Sequence, residues 1–175
     1  PNCLIIFGGP QVPDRTEGFF KEHPYVDILV HNEGELVLEN IFVAFLKDRN
    51  YLDVKGISTK DFRTSPHPRI NDLESLPSPY LTDTIWKLID KNDSAKWAFS
   101  WETDRGCPYQ CTFCDWGSAT KTMVRKYSED RLFKEIEYFA DHQMSYIECC
   151  NANFGIFLFA FFLRSSIEGY FKLNA

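Results

Sequence analysis

Apolar residues gather in short unbroken runs near the start of the chain. Leu4-Ile5-Ile6-Phe7 runs into Gly8-Gly9-Pro10, and Val26-Asp27-Ile28-Leu29-Val30 runs into Asn32-Glu33-Gly34-Glu35. Runs of this kind, closed by turn residues, predict strands buried on both faces, as in a parallel sheet. A chain that opens on such a run is expected to begin inside a domain. Asn32 and Glu35 have capping-box spacing, so a helix is expected to follow, with Leu38, Ile41, Phe42 and Phe45 as its apolar face. Strand, short helix, strand and helix in that order predict an α/β layer.

From Asp53 to about Pro79 the periodicity fades. Pro66, Pro68, Pro77 and Pro79, with Ser65, Ser75 and Ser78, predict a connecting segment. Beyond it, Trp97 to Thr103 reads as a strand and Ser128 as an N-cap, with Glu129 and Asp130 in the first turn of a helix. Leu132, Ile136 and Phe139 form the apolar face of that helix, and Met144 to Cys150 reads as the next strand. The second half is thus strand, loop, helix, strand, about one and a half turns of a β/α repeat. The expected divisions are 1–52, a linker 53–95, 96–157 and a tail 158–175.

Composition narrows the classes. A 44% hydrophobic and 25% charged content is that of a globular chain rather than a disordered one. The net charge of −6 points away from nucleic acid as a partner, although Lys121, Arg125 and Lys126 form a local basic patch. The longest apolar run, Phe154 to Leu163, falls short of the ~18–20 residues that span a bilayer. No signal sequence opens the chain, so a cytoplasmic location and reduced thiols are expected of its six cysteines.

Chemistry concentrates in Arg105-Gly106-Cys107-Pro108-Tyr109-Gln110-Cys111-Thr112-Phe113-Cys114-Asp115-Trp116-Gly117. Three thiolates at this spacing can converge on one cuboidal [4Fe–4S] cluster if the backbone wraps around it. Three ligands leave the fourth iron open, and a ligand with an amine and a carboxylate can chelate it. A structural zinc site in a binding module without catalysis would need a fourth ligand, for which His142, Cys149 and Cys150 are the nearby choices. A disulfide among these three closely spaced cysteines would leave one over, and a chance grouping of buried cysteines would leave the flanking Gly, Pro and aromatic residues unexplained. Cys149 and Cys150 alternate across a strand and are not expected to share one metal. His23, His31 and His67 follow no ligand spacing and receive no role.

The C-x3-C-x2-C pattern, with Gly106 before it and Phe113 before its last cysteine, resembles the signature of the radical S-adenosylmethionine superfamily. The fuller string RGCPYQCTFCDWG resembles its cobalamin-associated members. The resemblance implies that Cys107, Cys111 and Cys114 hold the cluster and that Phe113 lies against the adenosyl group. It also implies reductive cleavage of S-adenosylmethionine to a 5′-deoxyadenosyl radical, fed by a reductant such as flavodoxin or ferredoxin. The substrate is not legible. Radical methylation with cobalamin as a further cofactor is the implied parent activity, and a cobalamin-independent enzyme such as a methylthiotransferase is the alternative.

Cys150-Asn151-Ala152-Asn153-Phe154-Gly155 resembles the D-A-N-F-G string of the same group, which contacts the amino group of S-adenosylmethionine; Asn151 and Asn153 are carried over on that basis. Asn151 stands where that string has Asp. An amide carbonyl can still accept from an ammonium group, without a charge assistance worth about 1 kcal/mol or more. Gly8 and Gly9, then Asp27, Glu33-Gly34-Glu35 and Leu76-Pro77-Ser78-Pro79-Tyr80, resemble in order the last part of a Rossmann-like cobalamin-binding domain and its linker to a (β/α) barrel. The fold expected is therefore α/β, the end of that domain followed by the first β/α units of a partial radical barrel. The resemblance ends near Phe157. The tail from Leu158 has no amphipathic face, as a frameshift, a fragment boundary or an apolar docking segment would give.

Overall fold

The computed structural model describes residues 3–88, 97–109, 111–113, 123–144 and 146–152. They divide into two compact units, Pro1–Ile70 and Asn71–Ala175.

In the first unit β1 (Ile6–Phe7), α1 (Phe19–Glu22), β2 (Ile28–Val30), α2 (Glu35–Lys47) and β3 (Ile57–Ser58) follow one another. The sheet order is β1-β2-β3, with β1 parallel and β3 antiparallel to β2. The α/β expectation holds. Central β2 is wholly buried, whereas Ile5 and Phe7 beside and within edge strand β1 are 38% and 39% exposed, so the first run is not buried on both faces.

Two further expectations are corrected. Gly34, not Asn32, caps α2, without a side-chain cap bond; Asn32 instead turns through the left-handed region at φ 63°. The stripe that packs on the sheet is Val37, Ile41 and Ala44, while Leu38 and Phe42 are exposed. Apolar residues lie on two overlapping stripes of this helix, and helical spacing alone cannot say which one meets the sheet. Residues 53–70, expected as linker, instead contribute Val54 and Ile57 to the core of this unit. Ile57 exchanges hydrogen bonds with Thr64, and the Ile70 amide donates to the Glu33 carboxylate at 2.8 Å. A two-residue strand is too short to leave a period in the sequence.

His31 lies in this core at 7% exposure, with Nε2 2.8 Å from the hydroxyl of fully buried Ser58. Burial, and then the charge of Arg63, hold its pKa below the usual 6.5, against the pull of Asp14. The unfolded chain therefore binds this proton more readily than the folded one below about pH 6.5, and stability is lost as pH falls through that range. The thermal midpoint, scanned from about pH 8 to about pH 5, is expected to fall on the acid side. In His31→Gln the histidine component of that fall disappears; equal pH slopes in the two proteins would contradict this.

The second unit holds a 3₁₀ turn (Leu73–Ser75), α3 (Thr84–Leu88), β4 (Ala98–Trp101), β5 (Asp104–Arg105), β6 (Arg125–Lys126), α4 (Glu129–Asp141) and β7 (Tyr146–Cys149). β4 and β7 pair in parallel, Trp101 opposite Cys149, across the connection that contains α4. Ser128 caps α4 as expected, its hydroxyl accepting from the Arg131 amide, and Leu132, Ile136 and Phe139 are buried. Phe139 meets the rings of Tyr80 and Trp101 edge-on at 4.7 and 5.8 Å. The Tyr80 hydroxyl donates to the Ser100 carbonyl, and burial above all, then Glu135 and Cys150, pushes its pKa up to about 12. Phe99 and Trp101, alternating with exposed Ala98 and Ser100, thereby fix the strand that leads toward the cysteines.

Candidate functional site

The cysteines lie on a loop whose ends are tied together. β5 and β6 pair antiparallel, Asp104 opposite Lys126 and Arg105 opposite Arg125, and the Tyr127 amide extends the ladder to the Thr103 carbonyl at 3.2 Å. Tying this loop at its base settles in advance the closure part of the entropy that a free segment would lose on wrapping around a ligand. Gly106 sits at φ 115°, a backbone setting that disfavours any side chain. Arg105 is held by Glu102 at 2.7 Å, which also receives the Tyr127 hydroxyl. Arg125 and Lys126 of the basic patch are thus ladder residues; Lys121 is outside the described residues.

Cys107 is half-buried and Cys111 exposed, and neither is in a disulfide. Phe113 is 89% exposed. Cys114 lies outside the described residues, as do Asn153 and the tail, and among the described residues no three metal-binding side chains converge. The thiols of Cys107 and Cys111, on a loop closed at its base, are donors of the kind an iron–sulfur cluster takes, so the residues present fit that group.

Cys149 is half-buried and Cys150 exposed, and burial raises the Cys149 thiol. The Cys150 amide continues the sheet by donating to the Trp101 carbonyl at 2.8 Å. His142 stacks on Tyr138 at 4.0 Å between ring centroids, with Nδ1 2.8 Å from the Tyr138 carbonyl. Of the fourth ligands a zinc site would need, His142 and Cys149 are thus engaged in helix and strand packing, whereas the Cys150 thiol is exposed.

Asn151, just past β7, is tied to the strand on the other side of the loop. Its Oδ1 accepts from the Thr103 amide at 3.4 Å, and its Nδ2 donates to the Asp104 main-chain carbonyl at 3.0 Å. Asp104 itself is 8% exposed. Its Oδ2 accepts from the Thr103 hydroxyl at 3.1 Å, and its Oδ1 has no partner. Burial raises its pKa, opposed by Thr103, Asn151 and Lys126.

In the first unit Gly8 and Gly9 follow β1. Gly9 takes φ 91° and its carbonyl accepts from the Val12 amide, so this glycine is required by the turn, while a Cβ on Gly8 would meet Val30 only at an ordinary 3.8 Å.

No protein-family model matches the chain. Over 163 residues, 89% of its length, it is 42% identical to the cobalamin-dependent radical SAM methyltransferase TokK of Streptomyces tokunonensis. The chain belongs to the cobalamin-associated branch of the radical S-adenosylmethionine superfamily. A second relative of this branch, the 2-(S-pantetheinyl)-carbapenam-3-carboxylate methyltransferase of Streptantibioticus cattleyicolor, is also 42% identical over 163 residues. The chain spans 24% of the length of each of these relatives. The solved radical S-adenosylmethionine methyltransferase TsrM from Kitasatospora setae shares the fold at a TM-score of 0.61 and 14% identity, over 97% of this chain and 32% of that one.

The residues that sequence reasoning passed over in this radical S-adenosylmethionine chain are Asp104 and the Glu135–Arg131 pair. Asp104 hides in a strand of two residues. Glu135 stands between Leu132 and Ile136 on the apolar face of α4, and an acid on such a face is the signal that could have marked it.

Proposed function

We propose that this chain is the cluster-bearing part of a cobalamin-dependent radical S-adenosylmethionine methyltransferase. In this reading the first unit is the end of a Rossmann-like cobalamin-binding domain, with Gly8 and Gly9 on its cobalamin side, and the second unit opens a (β/α) barrel. Cys107, Cys111 and Cys114 hold a [4Fe–4S] cluster, and Phe113 and Asn153 line the S-adenosylmethionine site.

The observation that carries the reading is the closed loop that bears the Cys107 and Cys111 thiols, on a chain 42% identical to TokK. When bound and reduced, the cluster supplies the electron that breaks the S–C5′ bond of S-adenosylmethionine. The chain's own residues prepare for this. The β5–β6 ladder sets the distance between the loop ends, Gly106 turns the backbone into the loop, and the Glu102–Arg105 pair braces the strand before it. A reductant such as flavodoxin or ferredoxin, and a substrate with an unactivated carbon, are the partners this chemistry needs.

Anaerobic reconstitution with iron and sulfide, followed by electron paramagnetic resonance of the reduced protein, tests the assignment. A [4Fe–4S]⁺ signal that shifts on adding S-adenosylmethionine is expected. Zinc bound in place of iron, with no response to S-adenosylmethionine, would overturn it. Cobalt retained after incubation with hydroxocobalamin is the outcome expected of the first unit and its glycine turn; a cluster without cobalt would restrict the reading to a cobalamin-independent enzyme.

A further inference from the structure

Asn151 and Asp104 are a coupled pair. The string that Asn151 belongs to carries Asp at this position, yet an ionised Asp here could not donate to the Asp104 carbonyl as Nδ2 does at 3.0 Å. It would also bring a second negative charge beside a buried carboxyl, which disfavours ionisation of both. With Asp at 104, an amide at 151 is the side chain that fits. Both of its hydrogen-bonding ends are spent on the backbone of residues 103 and 104.

Asp104 is the opposite case. It is more than nine-tenths buried, and Oδ1 has no partner among the described residues. Lys126, facing it across the ladder, is exposed and does not bond that oxygen. Buried polar atoms are satisfied as a rule, so an orphaned carboxyl oxygen calls for a ligand. Its position says which one. Asp104 lies three residues before Cys107 and is bridged by Asn151 to the end of β7, where the amino end of S-adenosylmethionine is expected.

Resting on the function proposed above, we propose that Asp104 supplies the carboxylate that receives the α-ammonium group of S-adenosylmethionine, and that Asn151 is a positioning residue which holds the Asp104 backbone for it. The acidic group has moved across the β4–β7 pair from the end of one strand to the continuation of the other. Burial raises its pKa, and an ammonium group at Oδ1 would act the other way by favouring the ionised form.

The test uses the reconstituted chain, S-adenosylmethionine and an analogue in which hydrogen replaces the α-amino group, with affinities from equilibrium dialysis and the cluster followed by electron paramagnetic resonance. Asp104→Asn is expected to weaken S-adenosylmethionine binding about tenfold or more while changing the analogue by less than about twofold. Its apo form should melt no lower than the wild type, because the replacement removes a carboxyl that burial disfavours. Asp104→Ser, smaller and uncharged, gives the same comparison should the Asn variant fold poorly. Unchanged S-adenosylmethionine affinity with an intact cluster overturns the inference alone. So does equal weakening of both ligands, or failure of both variants to assemble a cluster, since either makes Asp104 structural. A wild-type chain that forms no cluster overturns the proposed function and this inference with it.

Discussion

Replacing Cys107 or Cys111 by alanine is expected to abolish the [4Fe–4S]⁺ resonance and to reduce bound iron and acid-labile sulfide to background. In the proposed assignment three thiolates serve four irons, so none is redundant, and the remaining cysteines lie outside the loop. Cys149 lies in β7 with its thiol pKa raised by burial, the Cys150 amide bonds Trp101, and exposed Cys3 is in the other unit. Cys3→Ala and Cys150→Ala should therefore keep full iron content. The effect also reads out thermodynamically. A cluster that binds only the folded loop stabilises the second unit by mass action, so the gap between holo and apo melting temperatures should vanish in Cys107→Ala and persist in Cys150→Ala. Retention of iron by Cys107→Ala with loss from Cys150→Ala would contradict the ligand assignment.

The largest effect on folding is expected from Arg131→Ala. Glu135 is 2% exposed, and its two carboxyl oxygens are shared between the Trp101 indole at 2.7 Å and the Arg131 guanidinium at 3.1 Å. Arg131 also donates to the Leu76 carbonyl at 2.6 Å and lies over the Tyr127 ring at 4.1 Å. One guanidinium thus ties α4 to the segment before β4 and to the residue after β6. Removing it strands a buried carboxylate, a class of change that costs about 3–5 kcal/mol. For a unit of this size a loss of that magnitude lowers the melting temperature by more than about 10 °C. The double variant Arg131→Met with Glu135→Leu removes both charges and should recover a large part of it. Cluster assembly should weaken in parallel in Arg131→Ala, because Trp101 ends the strand that leads to the loop. A denaturation midpoint within experimental error of the wild type would show that Glu135 finds another partner.

The cysteine motif was legible because its chemistry is local. Three thiolates, the turn glycine and the flanking aromatics fall within a dozen residues, and ligand spacing is a property of the chain itself. The helix over 129–141 was legible for a related reason, since Ser128 and the Leu132, Ile136 and Phe139 stripe each act within a few turns. β4 and β7 were visible as apolar runs, and their parallel pairing follows once a helix separates them.

What the sequence left undecided depends on residues far apart in the chain. The stripe of α2 that faces the sheet is selected by β2 and by Val54 and Ile57, and β3 exists only because residues 57–58 find β2. The ladder that closes the cysteine loop joins 104–105 to 125–126, two residues on each side, too few to write a period. Asn151 could be placed at the site by its motif, but its occupation with Thr103 and Asp104 spans 47 or more positions and appears only when β4 and β7 lie side by side. The chain by itself carried the cysteine motif and the α/β class, which rest on local spacing and alternation. The tertiary structure alone decided which carboxyl is left buried without a partner, because burial is set by the neighbours that distant segments bring.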